Sequence, residues 1–297
     1  DITDKANPGD PVYMDTDGDA SGVTVVGNYA YVADALSGLA IIDITDKDNP
    51  GDPVYMDTNG SAIGVTVVGN YAYVADFTKG LAIIDITDKD NPGAPVYKAT
   101  SGFARFVTVV GNYAYVANDG KGLAIIDITD KDNPGDPVYM DTSGYARGVT
   151  VVGNYAYVAD ELSGLAIIDI TDKANPGDPV YMNTNGSPLG VTVVGNYAYV
   201  ADKLSGLAII DITDKANPGA PVYKATSGSA YIVTVVGNYA YVADESSGLA
   251  IIDITDKANP GDPVYMDTSD DAYGVTVVGN YAYVADYESG LAIIDIT

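Results

Sequence analysis

Aromatic and arginine side chains gather in two corresponding segments of the chain and offer its clearest binding chemistry. Phe103, Arg105 and Phe106 lie in one segment, and Tyr145 and Arg147 lie in the next. Rings bury large areas at low entropic cost and guanidinium groups bind carboxylates or stack, so both are typical of interface hot spots and sugar platforms. We predict a ligand site here, with local packing over strands as the alternative. Equivalent segments add Phe77, Leu189, Tyr231, Ile232, Tyr273 and Tyr287.

Clustered aspartates are the second candidate site. They occur near the two ends of the chain, as Asp15, Asp17 and Asp19 and as Asp267, Asp270 and Asp271. Hard carboxylate oxygens suit Ca²⁺, so these residues predict a calcium site if the fold brings the two ends together. The alternative is that they stabilise turns without any metal, because aspartate side chains accept hydrogen bonds from nearby backbone amides. No other cofactor is expected.

Two further carboxylate patterns are better explained by structure than by chemistry. A weak resemblance to a calcium loop occurs at Asp46, Asp48, Asn49 and Asp52, but four of seven equivalent loops have Ala in place of Asp48. Asp43 stands in an apolar strand and could be a perturbed catalytic acid. Its equivalent recurs throughout the chain, so we expect a structural hydrogen bond instead. With only two arginines and no defined carboxylate pair, the chain is not expected to be an enzyme.

The composition excludes several function classes. The chain has 41 acidic and 14 basic residues, a net charge of −27, and no His, Cys or Trp. Such a charge repels nucleic acid and anionic membranes, and the missing residue types exclude disulfides, thiol nucleophiles and the usual zinc ligands. No apolar run long enough to insert into a membrane and no secretion leader is evident. Because the sequence does not begin with Met, we expect a processed module of a longer chain.

The candidate residues are positioned by a 42-residue repeat. Seven copies occupy residues 1–42, 43–84, 85–126, 127–168, 169–210, 211–252 and 253–294, and residues 295–297 begin another. The first copy contains four short runs rich in β-formers, Val12 to Asp15, Val23 to Val26, Tyr29 to Asp34 and Leu39 to Thr45. Four strands repeated seven times predict a single all-β, seven-bladed β-propeller. An open solenoid is disfavoured because neither end resembles a polar cap.

The order of the strands also predicts how the ring closes. If Val23 to Val26 is the inner strand of its blade, the chain begins on an outer strand and ends on a third strand, Leu291 to Thr297. The N-terminal strand would then complete the C-terminal blade and pair two otherwise exposed edges. Ala30 and Ala40 are expected to leave room for tyrosines of a neighbouring blade.

Differences between the copies fall mostly into two windows, positions 14–22 and 34–37 of the repeat. Connections in a four-stranded meander alternate between two sides, so both windows lie on one side of the disc, here called the variable face. Variation over an unchanged scaffold is typical of a recognition surface. We expect a monomeric, extracellular, non-catalytic module that binds a protein or glycan ligand there, and no nucleic acid. The alternatives are a structural spacer or surface-layer module and an engineered symmetric propeller.

The third and sixth copies share features that the others lack. Both have Lys at position 14, as Lys98 and Lys224, and a bulky residue at position 22, as Phe106 and Ile232. Duplication of a three-repeat segment would leave such a pattern. It favours a natural, recently amplified gene over an engineered consensus.

Segments such as GNYAYVADALSGLAIIDITDKANP resemble the LVIVD repeat over the whole chain. The eponymous segment here reads LAIID, as at Leu39 to Asp43. The resemblance implies a bacterial or archaeal β-propeller, often surface-exposed. It supplies no catalytic residues to transfer.

Overall fold

The chain folds into seven four-stranded antiparallel sheets, and the prediction of a seven-bladed β-propeller is confirmed. The computed structural model describes residues 8–297, which contain 28 β-strands and no helix. Blades are numbered here by the repeat that supplies their inner strand. Alternating apolar and β-branched residues favour strands, and Gly27 with a φ of 62° supplies the first hairpin turn between inner and second strands.

The strands fall into four classes by their place in a blade. The inner strands are β2 (Ala20–Val26), β6 (Gly64–Val68), β10 (Phe106–Val110), β14 (Ala146–Val152), β18 (Gly190–Val194), β22 (Ile232–Val236) and β26 (Gly274–Val278). The second strands are β3 (Tyr29–Asp34), β7 (Tyr71–Ala75), β11 (Tyr113–Ala117), β15 (Tyr155–Asp160), β19 (Tyr197–Ala201), β23 (Tyr239–Ala243) and β27 (Tyr281–Ala285). The third strands are β4 (Gly38–Asp43), β8 (Leu81–Asp85), β12 (Leu123–Asp127), β16 (Gly164–Asp169), β20 (Leu207–Asp211), β24 (Leu249–Asp253) and β28 (Leu291–Asp295). The outer strands are β1 (Val12–Met14), β5 (Val54–Met56), β9 (Val96–Lys98), β13 (Val138–Met140), β17 (Val180–Met182), β21 (Val222–Lys224) and β25 (Val264–Met266).

The predicted ring closure is confirmed by the last blade, whose strand order is β1, β28, β27, β26. Val12 lies opposite Ile293 and Met14 lies opposite Leu291 in the antiparallel register. The Gly9 amide also donates to the Asp295 carbonyl at 2.8 Å. The N-terminal strand therefore pairs the edge of β28 that would otherwise be exposed.

The third strand of the first blade ends two residues earlier than the sequence predicts. The structure ends it at Asp43 instead of Thr45. The Asp43 carboxylate accepts a hydrogen bond from the Thr45 amide at 2.8 Å, which turns the chain out of the sheet. This contact is the structural hydrogen bond expected for Asp43, and it reaches the following loop. These bonds also lower the pKa of the Asp43 carboxyl.

Blades pack through a small-to-large fit between neighbouring sheets. Tyr283 of the seventh blade is buried in one apolar cluster with Ala30 and Ala40 of the first, as predicted. Threonines of the inner strands add polar ties, because Thr66 Oγ1 donates to the Val107 carbonyl of the next blade at 2.7 Å. These contacts recur from blade to blade and hold the inner strands around a central channel.

The face opposite the variable face also links neighbouring blades. Lys47 Nζ lies 5.1 Å from the centroid of the Tyr281 ring, a cation–π contact between the first and seventh blades. Five other lysines make the same contact with a tyrosine of the preceding blade: Lys89, Lys131, Lys173, Lys215 and Lys257. Residues shared by the repeats on this face therefore serve the framework.

Candidate functional site

The central channel opens on the variable face through a cavity of about 510 Å³. Position 21 of every repeat contributes one side chain to its lining. Those seven residues are Ser21, Ile63, Arg105, Arg147, Leu189, Tyr231 and Tyr273. Position 21 immediately precedes the position at which most inner strands begin, so sevenfold folding gathers it around one opening.

A second set of side chains comes from position 35, in the turn between the second and third strands. Its members are Ala35, Phe77, Asp119, Glu161, Lys203, Glu245 and Tyr287. Six of them form an isolated β-bridge with an alanine at position 20 of the next repeat, such as Lys203 with Ala230. The bridge places a position 35 residue beside the position 21 residue of the next repeat. We call the fourteen residues at positions 21 and 35 the mouth ring.

The same bridge explains an unusual backbone conformation. The six bridged residues have positive φ values, for example 46° at Lys203 and 42° at Phe77. Residues other than glycine rarely adopt positive φ values, and this backbone conformation costs on the order of 1 kcal/mol per residue. The variable positions are therefore held in a fixed geometry by backbone bonds to the next blade, whatever side chain they carry.

Charged residues of the mouth ring form a linked network across the third and fourth blades. Asp119 Oδ2 accepts hydrogen bonds from Arg105 Nη2 at 3.1 Å and from Arg147 Nη1 at 3.3 Å. Arg147 Nε also donates to Glu161 Oε2 at 2.6 Å. The Asp119 side chain is only 9% exposed, so this shared carboxylate is largely shielded from water, and its charge-assisted hydrogen bonds hold both guanidinium groups.

Aromatic rings support the arginines from outside the cavity. The Arg105 guanidinium lies 4.7 Å from the centroid of Phe77, and Phe77 stacks on Phe103 at 4.5 Å with 15° between the rings. Arg147 lies 5.5 Å from the Tyr145 ring centroid. Each arginine therefore has a carboxylate at its edge and a ring at its face, an arrangement that preorganises it for binding.

Tyrosines form the opposite part of the mouth ring. Tyr273 meets Tyr231 and Tyr287 edge to face, with centroid separations of 4.7 Å and 5.5 Å. Burial, together with neighbouring carboxylates such as Glu245 and Asp271, raises the pKa of both Tyr231 and Tyr273. Both hydroxyls therefore remain protonated at neutral pH. The Tyr273 hydroxyl donates to Asp271 Oδ2 at 3.4 Å, and the Tyr231 hydroxyl can donate to a ligand.

A second, shallower depression lies outside the ring and is called here the outer hollow. It measures about 300 Å³ and is lined by Gly120, Asp141, Ser143, Gly144, Tyr145 and Leu162. Tyr145 is 43% exposed and Leu162 is 66% exposed. Because Tyr145 stacks on Arg147, which lines the central cavity, the two depressions are joined through one pair of side chains.

A buried carboxylate at position 34 anchors the loop that contains positions 14–22, the first of the two variable windows. In the first blade, Asp34 accepts hydrogen bonds from Thr16 Oγ1 at 2.7 Å and from the Gly18 amide at 3.0 Å. Burial raises the pKa of the Asp34 carboxyl against these stabilising bonds. The equivalent Asp76 accepts a hydrogen bond from Thr58, its Oδ2 atom has no partner, and burial raises its pKa to about 6. Sequence reasoning missed this role, although the Asp recurs in six of seven repeats.

Seven of the eleven predicted binding residues line the central cavity: Arg105, Phe106, Arg147, Leu189, Tyr231, Ile232 and Tyr273. Phe106 and Ile232 also pack against buried clusters, so local packing accounts for part of their role. The other four, Phe77, Phe103, Tyr145 and Tyr287, lie outside the lining and contact ring residues through their aromatic faces or edges.

Four charged residues of the mouth ring were not among the predicted binding residues. They are the position 35 residues Asp119, Glu161, Lys203 and Glu245. A signal was present, since position 35 carries a different residue type in almost every repeat. Its meaning depends on the bridge to the next blade, which sequence alone did not reveal.

The predicted calcium ligands do not come together as a metal site. Within residues 8–297 no group of three or more acidic side chains is arranged to hold a metal ion. One of the predicted residues stabilises its own turn, because the Asp271 amide donates to Asp270 Oδ1 at 2.9 Å. The Asp17 amide instead donates to Tyr55 Oη of the outer strand β5 at 2.8 Å. Asp15, Asp19 and Asp267 lie in the same links without forming such a group. The contact at Asp270 agrees with the turn-stabilising alternative.

The loop containing Asp46, Asp48, Asn49 and Asp52 shows the same local pattern. Asp46 Oδ1 accepts a hydrogen bond from the Asp48 amide at 3.2 Å. The Asp46 side chain is therefore already hydrogen-bonded within the loop. Among residues 8–297, the loop contributes to no group of three or more acidic side chains that could hold a metal ion.

The fold resembles solved structures that have little sequence identity with this chain. The crystal structure of the computationally designed Ika8 protein has a TM-score of 0.69 and 8% identity, covering 95% of this chain and 98% of that one. BamB from Moraxella catarrhalis has a TM-score of 0.62 and 16% identity, covering 93% and 82%. At such identities the likeness concerns the fold alone. No curated protein sequence matches significantly. Among residues 8–297 no helix has the length and apolar character needed to cross a membrane.

The family relationship is direct. The LVIVD repeat matches the chain seven times, at residues 17–57, 59–100, 101–141, 143–184, 185–224, 227–268 and 269–297. These matches span nearly the whole chain and confirm the resemblance seen at LAIID. The chain belongs to the LVIVD repeat family.

Proposed function

We propose that this propeller is a non-catalytic recognition module, displayed outside the cell, that binds a protein or glycan ligand at its variable face. The observation that carries the proposal is the mouth ring. All seven position 21 residues line one cavity of about 510 Å³ together with Glu161 and Lys203 of position 35, and six of the seven position 35 residues are held by backbone bridges to the next blade. Arginines, tyrosines and an apolar residue at these positions provide the chemistry of interface hot spots.

The unequal variation of the two faces supports recognition over a passive spacer. The opposite face keeps its lysine–tyrosine contacts in blade after blade, although its loops are exposed to water. Loops that merely tolerate change would vary on both faces. The seven position 21 residues of the mouth ring instead comprise five residue types, and Asp119 and Phe77 support Arg105 among them.

A chain with a uniform mouth ring tests the proposal. Ser is placed at every position equivalent to Ser21 and Ala at every position equivalent to Ala35, so that the framework is retained. Both proteins are screened against protein and glycan arrays, and any ligand found must lose its binding to the uniform protein. The matched control gives every repeat Ala at the Asp48 position of the opposite face through Asp48→Ala, Asp90→Ala and Asp132→Ala, and it must bind normally. Ligands that bind all three proteins equally, or ordered self-association in place of ligand binding, would favour the spacer.

A further inference from the structure

One cation of the mouth ring lacks the carboxylate partner that its counterparts have. Asp119 links Arg105 and Arg147, and Glu161 also binds Arg147. Lys203 lines the same cavity, but no carboxylate of the described residues lies within ion-pair distance of its amine. Its bridge to Ala230 places it beside Tyr231. The position therefore presents an uncompensated ammonium group within an otherwise paired network.

The positive charge of Lys203 is opposite in sign to the net charge of the protein. The net charge is −27, yet the charged residues lining the cavity are Arg105, Arg147, Lys203 and Glu161. Lys203 is half-buried, where a charge–charge interaction is less screened than at a fully exposed site. A ligand carboxylate entering the cavity would supply the missing partner, and the Tyr231 hydroxyl would remain available as a second donor.

The outer hollow suits an apolar side chain of the ligand, in addition to the carboxylate that Lys203 suits. Tyr145 and Leu162 form its apolar part, and both are exposed. Leu162 directly follows Glu161, whose carboxylate accepts a hydrogen bond from Arg147. The hydrogen-bonded pair of Arg147 and Glu161 therefore lies between the outer hollow and the cavity. Tyrosine and arginine are enriched in the hot spots of protein interfaces, and here Tyr145 stacks on Arg147 at the edge of the outer hollow.

We infer that the variable face binds a polypeptide segment whose acidic side chain enters the cavity toward Lys203, while an apolar side chain of the same segment occupies the outer hollow. This inference rests on the proposed function and names its ligand class. A polypeptide fits better than a glycan because it can carry a carboxylate and an aliphatic side chain on one strand. The partner is acidic only locally, since the net charge of −27 repels a protein that is acidic overall.

Short capped peptides test this inference with the full chain. Each peptide contains one Glu and one Leu in a Gly, Ser and Asn background, with their spacing varied residue by residue, and a matched series has Gln in place of Glu. Binding is measured by fluorescence anisotropy. At the favoured spacing we expect the Glu peptide to bind about tenfold more tightly than its Gln counterpart, and Lys203→Gln to remove that difference.

Controls use equivalent side chains elsewhere on the variable face. Lys121 is exposed and lines neither depression, so Lys121→Gln must leave binding unchanged, whereas Lys203→Arg must retain it. Leu162→Ser must weaken binding, while Leu36→Ser must not, because Leu36 is the 81% exposed equivalent in the first blade. Thermal unfolding of each variant verifies that the fold is intact.

The negative outcomes separate this inference from the proposed function. Equal binding of Glu and Gln peptides, or full binding by Lys203→Gln, overturns the inference. If no peptide binds but glycans bind the natural protein and not the uniform-ring protein, the inference is wrong and the recognition function stands with a glycan ligand. If neither peptides nor array ligands bind, both proposals are wrong.

Discussion

Replacing Asp76 with Asn should alter how the stability of the propeller depends on pH. Asp76 is fully buried, Thr58 donates a hydrogen bond to its Oδ1 atom, and Oδ2 accepts none. Burial raises the pKa of this carboxyl from 3.8 to about 6. The folded state therefore favours the protonated acid, because a buried charge without full compensation is costly.

The sign and size follow from proton linkage. A raised folded-state pKa contributes stability that is fully present below about pH 4 and is lost as the pH rises through about 6. A shift of roughly two units corresponds to about 3 kcal/mol lost by pH 7.5. The amide of Asp76→Asn does not titrate, so the unfolding free energy of the variant relative to the natural protein should increase by about 3 kcal/mol across that range.

Urea unfolding at a series of pH values between about 4 and 7.5 measures this difference. Any constant cost of the amide, such as a weaker bond to Thr58, shifts all values equally and leaves the slope. Asp85→Asn in the same blade is the matched control. Hydrogen bonds from Thr87 lower the pKa of Asp85, so its contribution is lost only as the pH falls below its usual range. A pH-independent difference for Asp76→Asn would show that Asp76 ionises normally and would refute the reasoning.

Three further predictions concern ring closure, the mouth ring and the blade contacts. Deleting residues 1–16 removes β1 from the edge of β28 and should cost several kcal/mol in chemical unfolding. A loss near zero would contradict closure through β1. Asp119→Asn removes the carboxylate shared by Arg105 and Arg147 and should lower the unfolding free energy by about 1 to 3 kcal/mol. The control Asp141→Asn should change the unfolding free energy by an amount near zero. Equal effects of the two substitutions would show that the network does not contribute to stability. Thr66→Val removes the 2.7 Å bond to the Val107 carbonyl and should cost about 1 kcal/mol by thermal unfolding, and an unchanged midpoint would mean that water replaces the bond.

The fold was predictable because the seven copies of the repeat can be compared with one another. Four apolar runs per 42 residues and punctuating Gly, Pro and Asn residues indicate β-strands without any alignment. Tyr283 packs with Ala30 and Ala40 as the residue sizes suggested. Closure through Val12–Met14 followed from counting strands at the two ends. All of these features depend on short-range pattern and on the need to pair sheet edges.

The site was predictable only where residue type alone was informative. Arg147 and Tyr273 differ sharply from the framework, so they could be assigned to a binding surface from their chemistry. Asp119 and Lys203 look like ordinary turn residues, and their roles depend on backbone bridges to the next blade. Asp34 recurs as often as a framework residue does, and its burial becomes evident only when Thr16 of the preceding link lies against it. The specific partners of individual loop residues, such as the bridge from Lys203 to Ala230 and the bond from Thr16 to Asp34, were therefore the part that the sequence could not reveal.

The arrangement separates the residues that hold the propeller together from those that can diversify. Tyr283, Thr66 and Lys47 connect blades through positions shared by the repeats. Mouth-ring residues are fixed by backbone bonds, so their side chains can change while the main chain stays in place. Substitutions in the ring should therefore alter binding more than stability, except where a buried carboxylate such as Asp119 supports charged neighbours. Because each ring position lies beside a residue of the next repeat, the order of the repeats determines which side chains meet, and reordering them would create a different binding surface on the same fold.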